Sequence, residues 1–293
     1  MNGPFVLYTL ISLMMLLWSA NFIIGKVALR EFPPLLLGAL RIGLAGIFLA
    51  PAYLRKTRAM PLGPRADFML LGFLAVCNVG NQLLFLIGLH RTTVAHSALI
   101  IGVGPIFVLL IAAAMGLERI TLRKTAGMIL ALGGVAALAY QATAKGSPIP
   151  GASLAGDAIT ALACILFSLF AVYGKRAAER YSTVAVNGFA YVSGAALLAP
   201  IVLWNAREFP FAHVSAAGWS SLVYMALFPS VICYLIYYHA LTHISAARVS
   251  AFIYLEPLIA TLMGVAFLGE RITGALVAGG TVIFTGVYLT ERG

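Results

Sequence analysis

Long apolar runs separated by short polar breaks make up almost the whole chain. Ten of them are long enough to cross about 30 Å of hydrocarbon as α-helices. An open sheet could not satisfy its edge hydrogen bonds in lipid. The pattern therefore predicts an all-α integral membrane protein with ten transmembrane helices, which we number as spans one to ten. They lie near residues 5–29, 33–54, 67–89, 93–116, 122–141, 153–175, 184–204, 216–240, 246–268 and 273–290.

A repeated motif divides the chain into two halves. Pro105 stands thirteen residues before Glu118-Arg119-Ile120-Thr121, and Pro257 stands thirteen residues before Glu270-Arg271-Ile272-Thr273. The two copies are 152 residues apart, and each joins a long apolar run to the polar break after it. Similarity at half the chain length indicates two copies of one structural unit.

The repeat extends over the rest of the chain. Gly25-Lys26 matches Gly174-Lys175 at an offset of 149 residues, and a turn-rich stretch between the halves contains two prolines. We therefore expect residues 1–145 and 150–293 to be two five-helix repeats. Because each repeat holds an odd number of spans, the second must enter the membrane from the opposite side. This is an inverted-topology repeat, which places the substrate site of many transporters near the midplane.

Composition and charge support the membrane assignment. The chain is 62% hydrophobic and only 10% charged, whereas a soluble domain is about half apolar and a quarter charged. The net charge of +10 comes from Lys and Arg at the ends of apolar runs, which indicates membrane orientation rather than nucleic-acid binding. Twelve of them lie on the side of the N-terminus and five on the other, so both termini are predicted to be cytoplasmic. Three cysteines inside apolar runs indicate neither a disulfide framework nor a metal site.

The doubled motif, together with Trp18-Ser19 in span one and Arg41 in span two, resembles the drug/metabolite transporter superfamily. The resemblance is strongest to the EamA-type exporters of bacterial inner membranes and covers nearly the whole chain. It implies a multi-pass inner-membrane protein that exports amino acids or related metabolites; one branch of the family handles aromatic amino acids. Span seven departs from the symmetry, because Ala190 replaces the counterpart of Arg41.

Two prolines predict broken helices at matching positions of the halves. Pro105 and Pro257 lack the N–H that would continue the helix, and Gly102 and Gly104 loosen the first break further. Broken helices in corresponding positions are typical of transport sites and gates. An ordinary packing kink is the alternative, since proline is common in membrane helices.

Matching faces of spans three and eight carry polar or amphipathic side chains at helical spacing: Asn78, Asn81, Gln82 and Phe85, and then Ser230, Cys233, Tyr234 and Tyr237. Such side chains are costly toward lipid, so both faces should point into the protein. They either line a cavity or join helices by hydrogen bonds.

Ionisable groups at membrane depth form a separate set of candidates. Glu256 is the acidic group deep in a span, and an intramembrane charge is a functional hypothesis by default. It binds a proton or the ammonium group of a substrate, or it forms a structural pair with Arg41 or Lys26. His96 lies near the start of span four, at the expected rim. Lys26 and its repeat counterpart Lys175 lie near span ends, where a lysine can extend its ammonium to the interface, and both are expected to be structural.

These patterns predict a cavity between the halves, lined by spans one, three, four, six, eight and nine, with five and ten at the periphery. The candidate lining residues are Trp18, Asn21, Asn78, Gln82, Phe85, His96, Ser168, Tyr234, Tyr237, Tyr254 and Glu256. Amides that bond ammonium or carboxylate groups and rings that stack on rings predict export of neutral amino acids with apolar or aromatic side chains.

Other functions fit the sequence less well. A nucleotide-sugar or sugar-phosphate antiporter would need several cationic residues for phosphate, and only Lys26 and Arg41 are near the predicted cavity. An intramembrane enzyme would need a nucleophile with its base or a metal-ligand cluster, and the sequence contains no such motif. We therefore expect no enzymatic activity, no cofactor, no metal and no nucleic acid. The expected partners are a small-molecule substrate and the lipid bilayer; a homo-oligomer is compatible with the sequence but not required.

Overall fold

The computed structural model describes residues 4–59, 65–92, 94–144, 154–205, 207–256, 258–259, 262–263 and 274–293. These residues are mostly helical and contain no β-strand, which confirms the all-α prediction for this part of the chain. The helices are α1 (Pro4–Ala28), α2 (Pro34–Ala59), α3 (Arg65–Arg91), α4 (Val94–Ile101), α5 (Gly104–Ala114), α6 (Leu122–Ala144), α7 (Leu154–Tyr181), α8 (Thr183–Asn205), α9 (Ala216–Met225), α10 (Cys233–Leu241), α11 (Ala246–Ala251) and α12 (Gly274–Arg292).

Six helices among the described residues are long and apolar enough to cross a membrane: Pro4–Ala28, Pro34–Thr57, Asp67–Arg91, Leu154–Tyr181, Thr183–Asn205 and Ala216–Leu241. The region expected to be span four is divided into α4 and α5, and the region of span nine begins with the short helix α11. Helices α6 and α12 occupy the positions of spans five and ten. The total of ten spans stays a prediction.

The interruption between α4 and α5 lies in the Gly-Pro stretch. Helix α4 ends at Ile101, α5 begins at Gly104, and Pro105 occupies the first turn of α5. At that position the missing N–H of proline leaves no helical hydrogen bond unmade. Pro257, the second predicted break, lies outside the described residues.

Span eight contains a break that the sequence did not reveal. Residues Ala226–Ile232 form a π-helical segment between α9 and α10, which we call the π segment. The N–H of Cys233 donates to the carbonyl of Phe228, five residues earlier. Pro229 lies inside this segment and has no N–H to donate. Such segments occur frequently at functional sites.

The two halves pack through helix pairs that the repeat makes equivalent: span one packs on span eight as span three packs on span six, span two packs on span seven, and span five on span ten. Helix α3 packs on α7, α1 packs on α9 and α10, α2 packs on α8, and α6 packs on α12. The approach of α6 to α12 is close: a Cβ atom added to Gly127 would lie 2.6 Å from the carbonyl oxygen of Gly286. One added to Gly134 would lie 3.0 Å from that of Gly279. Glycines on both helices therefore allow α6 and α12 to approach each other closely.

Polar contacts define two ends of the helix bundle. At the end that holds both termini, which we call the terminal end, the Tyr8 hydroxyl donates to Glu291 at 2.6 Å. Arg180 also pairs there with Asp67 at 2.9 Å. At the opposite end, which we call the far end, the loop after α1 contacts the start of α9. Ser215 donates to the Glu31 carboxylate there through its N–H and its hydroxyl, at 2.7 and 2.6 Å.

Lys26 and Lys175 make equivalent contacts at the two ends. Lys26 Nζ donates to the carbonyl oxygens of Leu89 and Thr92, the latter at 2.7 Å, where α3 ends. Lys175 Nζ donates to the carbonyl of Ile244 at 3.2 Å, just after α10, and Ile244 follows Thr92 by the repeat offset of 152 residues. Each lysine satisfies carbonyls at a helix C-terminus, which agrees with the structural role expected for both.

Candidate functional site

A cavity of about 80 Å³ lies in the middle of the bundle. It receives side chains from α1, α2, α3, α4, α7, α10 and the segment after α11. Its lining residues are Trp18, Asn21, Phe22, Arg41, Asn81, Gln82, Phe85, Ile101, Cys164, Phe167, Tyr234, Ile253 and Glu256. Most of them lie in the second half of α1 and α3 or the first half of α2 and α7, which places the cavity between mid-depth and the far end.

A chain of hydrogen bonds fixes the polar side of the cavity. Arg41 Nε donates to the Ser230 hydroxyl at 2.7 Å, and the Ser230 hydroxyl lies 2.9 Å from Gln82 Oε1. Gln82 Nε2 donates to Asn78 Oδ1 at 2.8 Å and to the Tyr191 hydroxyl at 2.9 Å. These contacts join α2, α3, α8 and the π segment, so residues of both halves hold the guanidinium in place.

Arg41 is 3% exposed, and its Nη1 atom has no hydrogen-bond partner among the described residues. A buried guanidinium with an unused donor is costly unless an anion or a polar group accepts from it. Ala190, at the matching position of α8, is fully buried and carries no polar side chain. Of the two positions related by the repeat, Arg41 therefore places a guanidinium in the bundle and Ala190 does not, as the sequence predicts.

Glu256 is 5% exposed and lines the same cavity. Within the described part of the chain, its carboxylate forms neither a hydrogen bond nor an ion pair. Arg41 is bonded instead to Ser230, and Lys26 is bonded to the end of α3. The structural pair of Glu256 with Arg41 or Lys26, considered from the sequence, is not formed. The cavity wall therefore contains a guanidinium and a carboxyl group that are not in direct contact with each other.

Aromatic rings form the apolar side of the cavity. The ring centroid of Trp18 lies 5.9 Å from that of Phe167, 5.7 Å from that of Tyr234 and 5.6 Å from that of Tyr237. The indole Nε1 donates to the carbonyl of Pro229 in the π segment at 3.1 Å. The partner satisfies the polar atom of the indole and leaves its ring surface for apolar contact.

The structure brings six of the predicted site residues together in the cavity wall: Trp18, Asn21, Gln82, Phe85, Tyr234 and Glu256. Three others are buried behind it. Asn78 bonds Gln82, Tyr237 packs behind Trp18, and the Ser168 hydroxyl donates to the carbonyl of Cys164 at 2.9 Å.

Tyr254 is not in the cavity wall. Its side chain is fully buried in a cluster with Leu109, Ala131 and Leu258, between α5, α6 and α12. Residues Phe252–Tyr254 form a 3-10 turn, and Ile253 is the residue of this turn that lines the cavity.

Five predicted residues belong to the helix breaks or to the rim of the cavity. Gly102, Gly104 and Pro105 lie directly after the lining residue Ile101, so the interruption of span four borders the cavity. The side chain of His96 lies outside the described residues, as does Pro257.

Asn81, on the face of span three predicted to point into the protein, also lies in the wall. The lining residues that were not among the predicted site residues are Phe22, Arg41, Ile101, Cys164, Phe167 and Ile253. Arg41 carried a usable signal, an ionisable group inside a span. Phe22 follows Trp18 by one helical turn, so the i to i+4 spacing also pointed to it. The apolar residues carried no signal, because a leucine-like side chain in a membrane helix is equally expected toward lipid.

A helical bundle with membrane-spanning segments and a central cavity lined from both halves has the architecture of a polytopic membrane transporter. The sequence profile of the EamA-like transporter family matches residues 6–140 and 154–292. The chain therefore belongs to the EamA-like transporter family, which confirms the resemblance to the drug/metabolite transporters.

Proteins with similar sequences are named as transporters or exporters. An uncharacterized transporter of Archaeoglobus fulgidus is 26% identical over 97% of this chain and 96% of its own length. The uncharacterized inner membrane transporter YedA of Escherichia coli is 25% identical over 94% of this chain and 87% of its own. A probable terminal-alkyne amino-acid exporter of Streptantibioticus cattleyicolor is 29% identical over 94% and 90%. A crystal structure that is 21% identical superposes with a TM-score of 0.78, covering 99% of this chain and 98% of the other.

Proposed function

We propose that this transporter exports neutral amino acids, preferably with aromatic or apolar side chains, and related amphipathic compounds. The observation that carries the proposal is the presence of Arg41 and Glu256 in one cavity without a direct ion pair between them. A free amino acid has a carboxylate and an ammonium group on one carbon. Arg41 offers Nη donors to the carboxylate, and Glu256 offers an anion to the ammonium.

The remaining wall suits the side chain of such a substrate. Trp18, Phe85, Phe167 and Tyr234 surround the cavity with rings, and rings stack on or enclose other rings with little demand on their exact shape. The amide oxygen of Asn81 adds a hydrogen-bond acceptor to the wall, whereas the Gln82 amide is engaged with Asn78, Tyr191 and Ser230. This combination favours aromatic amino acids and tolerates related amphipathic compounds.

We further propose that transport proceeds by alternating access between two inverted five-helix repeats, residues 1–145 and 150–293. The equivalent contacts of Lys26 and Lys175 at opposite ends of the bundle support the inversion. The excess of Lys and Arg at the terminal end supports cytoplasmic termini in a bacterial inner membrane. The cavity, nearer the far end, would then be closer to the outer side, where an exporter releases its substrate.

Labelling in intact cells tests this orientation. A cysteine at Arg207, exposed beyond α8, should react with a membrane-impermeant thiol reagent. A cysteine at Lys56, exposed near the end of α2, should react only after the cells are permeabilised. The reverse pattern would refute cytoplasmic termini without touching the substrate assignment.

A sugar-phosphate or nucleotide-sugar antiporter is the alternative function. Its phosphate groups would need several cations, and Arg41 is the cation among the described lining residues. Lys26 is engaged with the carbonyls of Leu89 and Thr92. The relative named as a probable amino-acid exporter also favours an amino-acid substrate.

Counterflow in proteoliposomes tests the proposal. Vesicles containing the purified full chain and loaded with unlabelled phenylalanine should take up labelled phenylalanine or tryptophan faster than protein-free vesicles. Comparing the uptake of labelled threonine with that of phenylalanine measures the selectivity for aromatic rings. The variant Arg207→Gln, changed at an exposed site, is the matched control and should show unchanged rates. Exchange of a sugar phosphate without exchange of any amino acid would replace this function by the alternative.

A further inference from the structure

Glu256 lies in the cavity without a fixed counter-ion among the described residues. The titratable or charged groups that share its surroundings are Arg41 from α2, Cys164 from α7, and Cys233 and Tyr234 from α10. Arg41 is the permanent cation of this set, and its Nε is bonded to Ser230 on the other side of the cavity. The thiols and the phenol add no positive charge. The Glu256 carboxylate is thus available to a mobile cation.

Two mobile cations fit this position, and they exclude each other. The ammonium group of an amino acid can bind the ionised carboxylate as a charge-assisted hydrogen-bonded pair. A proton on the carboxylate removes the charge that holds the ammonium. With neither bound, an ionised carboxylate that is 5% exposed remains inside the bundle without a cation in contact with it, which is strongly unfavourable. The transporter should therefore change between its two open states most readily with one of the two cations on Glu256.

We propose that Glu256 is a shared site for a proton and for the ammonium group of the substrate, so that proton entry drives export. This inference rests on the proposed amino-acid function. On the outside, a proton binds a carboxylate oxygen of Glu256 as the substrate leaves. On the inside, the proton passes to water and the ammonium group of the next substrate takes its place. The ammonium nitrogen keeps its three protons throughout. Each cycle moves one zwitterion outward and one positive charge inward.

Accumulation against a gradient measures the coupling. Proteoliposomes with an acidic lumen, one pH unit below the outside, receive labelled phenylalanine while valinomycin and equal potassium hold the membrane potential at zero. A one-to-one exchange should accumulate phenylalanine about tenfold inside, because one pH unit is a tenfold proton ratio. Counterflow without a pH gradient is measured in parallel. Counterflow without accumulation would refute the coupling and leave the amino-acid function standing; absence of both would refute the function itself.

Variants identify the proton site. Glu256→Gln keeps the shape of the side chain but cannot ionise, so the tenfold accumulation should disappear. Glu256→Asp keeps the carboxylate and should retain accumulation. Glu208→Gln, at an exposed carboxylate between α8 and α9, is the matched control and should behave as the wild type. Accumulation by a folded Glu256→Gln protein would place the proton elsewhere and overturn the proposal.

A binding measurement on the wild-type protein keeps the test decisive if Glu256→Gln does not fold. Acidification should weaken the binding of phenylalanine, which needs ionised Glu256. It should leave unchanged the binding of 3-phenylpropionate, which has the ring and carboxylate but no ammonium group, over a range in which that carboxylate stays ionised. Equal pH dependence for the two ligands would contradict a shared site at Glu256.

Discussion

Arg41 and Ser230 are joined by a 2.7 Å hydrogen bond from Nε to Oγ, which connects α2 to the π segment. The Ser230 hydroxyl also lies 2.8 Å from the carbonyl of Met225, five residues earlier. The serine is therefore held by the backbone and by Gln82 while it accepts from the arginine. With Nε fixed, the Nη edge of the guanidinium remains for the cavity.

This geometry makes Ser230 a positioning residue for Arg41. Ser230→Ala should weaken the binding of phenylalanine about 10- to 100-fold, since a hydrogen bond to a charged group contributes about 1.5–3 kcal/mol. Phenethylamine, which lacks the carboxylate, should lose little. Ser230→Thr keeps the hydroxyl and should restore part of the affinity for phenylalanine. Equal losses for the two ligands by calorimetry would mean that the serine supports only the fold.

The contact between α6 and α12 should depend on its glycines. Gly127→Ala places a methyl group 2.6 Å from the Gly286 carbonyl, and overpacking of this kind costs about 1–3 kcal/mol. The thermal midpoint in detergent should fall. Gly133→Ala is the control on the same helix, because an added Cβ meets nothing within 4 Å there. A midpoint at or above the wild-type value for Gly127→Ala would show that the two helices are not held this closely.

The equivalence of Lys26 and Lys175 can be measured directly. Lys26→Met and Lys175→Met each remove a charged donor from the carbonyls at a helix end, so each should destabilise the protein by about 1–3 kcal/mol. The effects should add in the double variant, since the sites are at opposite ends of the bundle. Lys56→Met, at an exposed position, is the control. A loss at one lysine but not at the other would contradict their equivalence.

The loop after α1 should give the stability a pH dependence. The hydrogen bonds from the hydroxyl and N–H of Ser215 lower the pKa of the Glu31 carboxyl. A lowered pKa in the folded state stabilises the protein above the unfolded pKa of about 4.3, and this contribution is lost as the pH falls through the folded value. Glu31→Gln should therefore lower the thermal midpoint at pH 7. The difference from wild type should shrink toward pH 3; a difference independent of pH would exclude the carboxylate as its cause.

The sequence predicted the helical class and the family because hydrophobic runs and the doubled motif are long-range patterns that survive local irregularity. It also predicted the polar face of α3, where Gln82 lies in the wall at α-helical spacing from Phe85. It failed where the backbone leaves that spacing. The 3-10 turn at Phe252–Tyr254 directs Ile253 rather than Tyr254 to the cavity. The π segment around Pro229 has no proline at the matching position of the first half, so the repeat could not reveal it.

The charged groups show a second limit. An arginine inside span two was evident from the sequence, but its partner was not. The bond to Ser230 depends on the packing of α2 against the π segment, which brings together residues 189 positions apart. A sequence pattern reports which residues share a helix face. It does not report which faces of distant helices meet. Here the packing of α2 against the π segment pairs Arg41 with Ser230 rather than with Glu256.

Binding of three related ligands tests the central claim, that Arg41 and Glu256 hold the two ends of a zwitterion. Calorimetry compares phenylalanine with phenethylamine and 3-phenylpropionate, which lack the carboxylate and the ammonium group. The wild type should bind phenylalanine most tightly; Arg41→Gln should abolish its advantage over phenethylamine, and Glu256→Gln its advantage over 3-phenylpropionate. Equal affinities for the three ligands in the wild type, or the same loss for all three in both variants, would contradict this account.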